Sequence, residues 1–235
     1  LAAAIVFLAG CGGSARLGPE AGQVARPADG LLDRPDLQAV VDLQVLRDGP
    51  GLAARLTEAD PAVRARAAMA LGSVQDPQTV PALVAALRDS IPGVRADAAW
   101  AIGQTADSTA APRLFLALRT EGTPAVQREI LDALGKIGSE ADGDELLRLS
   151  VPREADRMLA LARLAMRDRL SENAFAVSAQ RLRSDDPAAR LYAAYVFARS
   201  DGWGAQSDLI REAFDALPSG DPARCWTRSF RRGSR

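Results

Sequence analysis

The chain has 235 residues and a formal net charge of −1, with 48% hydrophobic, 25% charged and 5% aromatic residues, an ordinary balance for one globular domain rich in helices. Histidine is absent, which excludes Ser-His-Asp and Cys-His catalysis and histidine-ligated zinc within this chain. No basic tract before the last dozen residues is dense enough to follow a phosphate backbone, so we expect no nucleic-acid partner.

The chain begins with an apolar run, LAAAIVFLA, which is too short to span a bilayer and has the length of a signal-peptide core. The run continues into Leu8, Ala9, Gly10 and Cys11, which resemble the lipobox of bacterial lipoproteins. The charged segment that precedes such a core is missing here. The resemblance implies cleavage before Cys11 and anchoring of the protein in a membrane through acyl chains on that cysteine.

Residues 1–10 are therefore predicted to be a signal peptide. Gly12 follows the cysteine where some lipoproteins have aspartate, and the resemblance then implies an outer-membrane protein that faces the periplasm. Residues 11–34 are rich in Gly, Pro, Ala and Arg without sustained periodicity, which predicts a flexible tether. The alternative is a poorly ordered N-terminus that has no spacing role.

The segment from Asp60 to Gly135 contains three copies of one short sequence repeat. The copies begin at Pro61, Pro92 and Pro124, which are 31 and then 32 residues apart. In each copy apolar residues follow two, six and ten positions after the proline, and a glycine follows at position eleven. A fixed period of this length predicts a solenoid of stacked repeats.

Each copy carries local signals for a pair of helices. Asp60 before Pro61 is a helix N-cap followed by proline at the first helical position, and the glycine at position eleven predicts the end of that helix. The matching segments Pro81 to Arg88 and Pro112 to Arg119 predict a second, shorter helix. One such hairpin cannot bury its apolar stripes alone, so neighbouring hairpins are expected to stack.

Weaker helical patterns continue on both sides, and we expect the solenoid to span residues 35–220. They predict a degenerate first repeat, a short helix after the third copy, a long one, and a further copy that begins at Pro187; the segments are Asp36 to Arg47, Glu145 to Leu149, Pro152 to Arg167, Ser171 to Arg183, Asp186 to Phe197 and Gln206 to Leu217. Residues 221–235 open another repeat whose pattern then stops. They are predicted to be a truncated or frameshifted end, or alternatively a basic tail.

The letters of the first two copies, DPAVRARAAMALGSVQDPQTVPALVAALRD and IPGVRADAAWAIGQTADSTAAPRLFLALR, resemble HEAT-like repeats of the class typified by the lyase subunits that load phycobiliproteins. The likeness is specific from Asp60 to about Leu147. It implies an all-α fold, a right-handed α-α superhelix. HEAT-like arrays usually bind other molecules and seldom do chemistry, so the fold alone does not give the function.

The resemblance also implies that the proline-initiated helix of each repeat lines a concave surface. Positions one, four, five, eight and twelve after the proline lie away from the core, at 100° per residue. On this surface we predict the residues that bind a protein or peptide partner: Arg66, Met69, Asp97, Trp100, Gln104, Arg128, Asp132, Tyr192 and Tyr195. Trp100 is the candidate anchor, or alternatively it packs in the seam between two repeats.

Two further groups of charged residues have structural interpretations. Arg64, Arg95 and Arg190 lie three positions after the proline, where HEAT repeats place an arginine that binds loop carbonyls and aspartates and joins one repeat to the next. Asp97 and Asp132 invite a general acid–base reading, but the sequence offers no nucleophile, oxyanion donors or metal-ligand cluster beside them. We therefore expect no catalytic residue, no metal and no cofactor.

Three functions remain open from the sequence. The first is a lipid-anchored interaction scaffold of the bacterial cell envelope without catalysis of its own. The alternative is the N-terminal HEAT-repeat part of a larger envelope enzyme, such as a cyclophilin-type peptidyl-prolyl isomerase, which the incomplete last repeat suggests. Bilin lyase activity is a weaker third, because an exported chain would not meet substrates in the cytosol. The partner and the oligomeric state are left open.

Overall fold

The computed structural model describes residues 34–199, 207–217, 220, 221 and 223. The predicted signal peptide, Cys11, nearly all of the predicted tether and most of the predicted tail lie outside the described residues. Nothing in the structure tests those predictions.

The described residues form twelve α-helices and no strand. The helices are α1 Pro35–Val45, α2 Gly49–Arg55, α3 Pro61–Val74, α4 Val80–Ala86, α5 Pro92–Thr105, α6 Ala111–Thr120, α7 Pro124–Ile137, α8 Glu140–Arg148, α9 Glu154–Ala165, α10 Glu172–Arg181, α11 Pro187–Arg199 and α12 Ser207–Asp215. Short 3₁₀ turns, Pro77–Thr79 and Ser108–Ala110, precede α4 and α6.

The helices pack in two layers. Each odd-numbered helix from α1 to α11 packs on the next odd-numbered one, and α2, α4, α6, α8 and α10 each pack on the odd-numbered helix that follows them. Successive hairpins therefore share one continuous core. This arrangement confirms the predicted all-α, HEAT-like solenoid.

The core uses the apolar positions that the sequence predicts, together with others that it did not. Val63, Ala67 and Leu71, at positions two, six and ten of α3, are at most 3% exposed. Position seven is also buried, at Ala68, Ala99 and Leu131, and so is position thirteen, at Val74, Thr105 and Ile137.

The glycines at position eleven do not end their helices, so that prediction is wrong. Gly72 and Gly103 lie inside α3 and α5, which continue to Val74 and Thr105. The helices end instead at Gln75 and Ala106, which adopt left-handed backbone conformations with φ of 58° each. The glycines leave room for the next odd helix, as described below.

The segment after the third copy also differs from the prediction. Helix α8 begins at Glu140 rather than Glu145, because Ser139 and Asp142 form a reciprocal capping box. At the N-terminal side, Gly49 and Pro50 form the first turn of α2, which is capped by the Asp48 side chain. Both helices begin at a side-chain cap that the apolar pattern alone did not reveal.

The register of α9 follows from its contact with Gly135 of α7. A Cβ atom on Gly103 would lie 3.0 Å from Ala133 Cα, and one on Gly135 would lie 2.8 Å from Ala160 Cα. Ala160 therefore takes the place of Ala133 in the next repeat, 27 residues later. Pro152 lies 28 residues after Pro124, so a register counted from that proline would be one residue too late.

Candidate partner-binding face

We define the odd-helix face as positions five, eight and twelve of α3, α5, α7 and α9 together with positions five and eight of α11, where α9 is placed by the register of Ala160. Its residues are Arg66, Met69, Ser73, Asp97, Trp100, Gln104, Glu129, Asp132, Lys136, Asp156, Leu159, Arg163, Tyr192 and Tyr195. All except Asp156 remain at least partly exposed. Arg128, which the sequence also predicts as a binding residue, lies at position four of α7 and is exposed.

Trp100 lies in the seam between α3 and α5. Its ring packs against Gly72, where a Cβ atom would come within 2.3 Å of Trp100 Cζ3. The indole Nε1 donates to Gln104 Oε1 at 3.1 Å when the amide is oriented to satisfy both of its neighbours. The ring is half-buried against the core and keeps an exposed part. Its role as a binding anchor stays a prediction.

A polar network continues from Trp100 across two further helices. Gln104 Oε1 accepts from Lys136 Nζ at 2.9 Å, and Lys136 Nζ lies 2.7 Å from Asp132 Oδ2. Arg163 Nε lies 2.5 Å from Asp132 Oδ1, an ion pair that lacks hydrogen-bond geometry. We call Trp100, Gln104, Lys136, Asp132 and Arg163 the polar ladder; it joins α5, α7 and α9.

Acidic side chains occupy position five in three consecutive odd helices: Asp97, Glu129 and Asp156. Burial, and then the neighbouring Asp132, raises the pKa of Glu129. Burial also raises the pKa of Asp156, which is 8% exposed and lies 3.8 Å from Arg153. The sequence prediction of face residues did not extend to α9, which does not begin with a proline, and it therefore missed Asp156.

At the same position in α3 the side chain is basic. Burial lowers the pKa of Arg66, whose guanidinium donates to Gln44 Oε1 from α1. Met69 lies one turn further along α3 and is half-buried. The odd-helix face therefore changes from basic at α3 to acidic at α5, α7 and α9.

Tyr192 and Tyr195 lie on α11, at the far end of the face. Both side chains are half-buried and pack against the core. Together with Met69, Trp100 and Leu159 they give the face partly exposed apolar groups on four of its helices. Their part in binding stays a prediction.

The arginines at position three lie away from this face and bind loops. Arg64 contacts Asp89 at 2.6 and 3.0 Å and donates to the carbonyls of Glu58 and Ala59. The Arg64 guanidinium holds the pKa of Asp89 below its usual range. This arginine therefore joins the loop before α3 to the loop before α5.

The same pattern recurs in two other repeats. Arg95 binds Glu121 at 2.7 and 2.9 Å and donates to two loop carbonyls, and Arg190 binds Asp221 at 2.6 and 2.9 Å. In α7 the position holds Gln127, whose amide donates to the carbonyl of Glu121 at 2.6 Å. Gln127 thus keeps the carbonyl bond of the pattern without the ion pair.

Metal-ligand clusters and membrane-spanning helices are both absent from the described part of the chain. No group of three or more His, Cys, Asp and Glu residues there could hold a metal ion. None of its helices combines the length and the apolar composition needed to cross a membrane.

Comparison with known proteins agrees with this architecture. Residues 49–123 match the family model of HEAT repeats. The chain is built of HEAT-like repeats. Among solved structures it is similar to the complex of CpcE and CpcF of phycocyanin lyase from Nostoc sp. PCC7120, with 21% identity and a TM-score of 0.49 over 91% of this chain and 97% of that chain. No curated protein matches the sequence.

This comparison corrects one expectation. The sequence led us to expect that the chain is not an enzyme, but the matched structure belongs to a lyase complex. Lack of histidine excludes only the histidine-dependent chemistries, and a HEAT-like solenoid is compatible with a place in an enzyme. We therefore withdraw the expectation.

Proposed function

We propose that this chain is a lipid-anchored HEAT-repeat protein of the bacterial cell envelope that holds a protein or peptide on its odd-helix face. The observation that carries the proposal is the polar ladder, which fixes a half-exposed tryptophan on a surface shared by several repeats. HEAT-like architecture supplies such extended binding surfaces by stacking repeats.

The geometry of Trp100 supports the binding role. Gly72 on one side and Gln104 on the other restrict the indole before any partner arrives, so little side-chain entropy remains to be lost on binding. Large aromatic side chains that are held in this way often supply most of the energy of an interface. The partly exposed ring is therefore a suitable anchor.

The composition of the face supports a protein partner. Apolar groups at Met69, Trp100 and Tyr195 lie among charged groups, of which Asp132, Lys136 and Arg163 are paired with one another in the ladder. A mixture of apolar anchors and satisfied polar groups is typical of protein–protein interfaces. Nucleic acid is a poorer fit, because the face carries acidic residues on three consecutive helices.

The lipid anchor rests on Cys11 and the lipobox-like residues before it. A Gly-, Pro- and Ala-containing segment of residues 12–33 joins this cysteine to α1. We propose that this segment tethers the solenoid to the membrane, so that the odd-helix face meets partners in the cell envelope.

Metabolic labelling tests the anchor. We expect a fatty-acid analogue to label the protein in the membrane fraction and the label to be lost in Cys11→Ser. An unlabelled, cytosolic wild-type protein would contradict the anchor and the envelope location.

A matched pair of methionine variants tests the face. Met69→Glu places a charge on the odd-helix face, whereas Met166→Glu changes a methionine that is 47% exposed and lies just after α9. We expect proteins captured from envelope extracts by the wild type to be retained by Met166→Glu and lost by Met69→Glu, with similar melting temperatures. Equal capture by both variants would contradict the proposal.

A further inference from the structure

The opposite layer of the solenoid contains a groove between α4 and α6. The groove has a volume of about 490 Å³ and is also lined by the loop of residues 121–123. This volume lies within the range of ligand-binding clefts. The groove is lined by α4, α6, the loops that follow them and Arg95 of α5, none of which belongs to the odd-helix face.

Four apolar side chains line the groove: Val84, Leu87, Leu116 and Ala117. Leu116 is 44% exposed, although most leucines of the solenoid are buried. An exposed leucine beside other apolar groups in a concave site offers a place for an apolar side chain of a partner.

The charged residues of the groove are of two kinds. Asp89 and Glu121 line it but are already held by Arg64 and Arg95. Arg88 and Arg113 also line it and are exposed. Neither of these two arginines makes a hydrogen bond or ion pair with the described residues. The groove therefore presents two uncompensated positive charges beside an apolar surface.

This arrangement selects among possible occupants. Arginine binds carboxylates through parallel N–H···O bonds, and two separate arginines match two separate carboxylates. A densely charged polyanion fits less well, because Asp89 and Glu121 line the same groove and repel it. The chain's own residues 224–235 are excluded by charge, because they contain five arginines and no acidic residue.

We propose that the groove between α4 and α6 binds an acidic peptide segment of a partner protein. One apolar side chain of the segment lies on Leu116 and Ala117, and carboxylates on either side bind Arg88 and Arg113. Because the groove lies on a different layer, binding in the groove and binding on the odd-helix face can be tested and disproved separately.

Selection from a random-peptide phage library on the purified full chain tests the proposal. We expect enriched peptides to carry Asp or Glu beside an apolar residue. Arg88→Glu and Arg113→Glu should each weaken the binding of a synthetic enriched peptide by about tenfold or more. Arg169→Glu, a charge reversal at another exposed arginine for which the structure shows no ion pair, should leave the binding unchanged.

Three results would overturn the proposal. They are enriched peptides without acidic residues, equal binding by Arg113→Glu and Arg169→Glu, and loss of binding in Met69→Glu but not in Arg113→Glu. The last result would assign the peptides to the odd-helix face. Leu116→Ser gives a further readout without a change of charge, and it should weaken binding while the melting temperature stays close to that of the wild type.

Discussion

Trp100 lies against Gly72 so closely that a Cβ atom on the glycine would be 2.3 Å from Trp100 Cζ3 and 3.0 Å from Ala101 Cα. The absence of a side chain at position eleven thus lets the next helix approach and seats the tryptophan on the odd-helix face. One position serves both the stacking of repeats and the shape of the candidate site.

The glycines at position eleven are expected to be intolerant of alanine. In Gly135→Ala the new Cβ would lie 2.8 Å from both Ala160 Cα and Ala160 O. Backbone atoms cannot turn aside, so overpacking costs about 1–3 kcal/mol and outweighs the roughly 1 kcal/mol that alanine gains over glycine in a helix. Urea unfolding should therefore show a lower free energy of unfolding. Gly122→Ala is the control, because nothing lies within 4 Å of its Cβ; equal stability of the two variants would contradict this account.

Removal of an inter-repeat arginine should destabilise the solenoid far more than removal of a surface arginine. Arg95→Leu leaves Glu121, whose side chain is 7% exposed, without its cation, at a cost on the order of 3 kcal/mol. Arg119→Leu breaks a pair in which the arginine side chain is 53% exposed, and it should cost about 1 kcal/mol or less. Chemical unfolding of both variants makes the comparison, and a similar loss in the two would show that Arg95 does not join the repeats.

Acid should weaken the link between Arg64 and Asp89. The arginine lowers the pKa of Asp89 in the folded state, so the unfolded state binds more protons below about pH 4. The stability from this pair is present above that pH and is lost as the pH falls through the folded-state pKa. Asp89→Asn should therefore be less stable than the wild type at pH 7, and the difference should shrink at pH 3. An unchanged difference at both pH values would refute the linkage.

Glu129 should show the opposite pH dependence. Burial, assisted by Asp132, raises its pKa, so the folded state binds more protons than the unfolded state. Its favourable contribution is present below the usual glutamate pKa of about 4.3 and is lost as the pH rises through the folded-state pKa. We expect Glu129→Gln to melt at a higher temperature than the wild type at pH 7 and at an equal temperature at pH 3. Asp185→Asn, which alters an exposed carboxylate, should change neither temperature, and a destabilised Glu129→Gln at pH 7 would contradict the prediction.

Local signals made the beginnings of the helices predictable from sequence. Asp60 caps α3 by accepting a hydrogen bond from the Ala62 N–H at 2.8 Å, and the proline that follows it fixes the first turn. The same proline recurs in α5, α7 and α11, so the period could be read from letters alone. The all-α solenoid followed from that period.

Features that depend on a neighbouring repeat were not predictable. The role of Gly72 depends on Trp100 of the next odd helix, and the ion pair between Asp132 and Arg163 depends on the register of α9. The register of α9 could not be predicted from a proline, because α9 begins at Glu154 and has no proline in its first turn. The groove at Leu116 likewise appears only when stacking of the repeats places α4 and α6 on its two sides.

Photo-cross-linking in intact cells tests whether the odd-helix face binds a partner. A photoreactive amino acid is placed at Met69 or Tyr192 on the odd-helix face, and at Gln180, an exposed residue of α10, as the control. We expect the two face positions to give the same cross-linked partner in the membrane fraction, and we expect Gln180 to give no cross-link to that partner. Cross-links from Gln180 to that same partner, or none from either face position, would contradict the assignment of the odd-helix face as the binding surface.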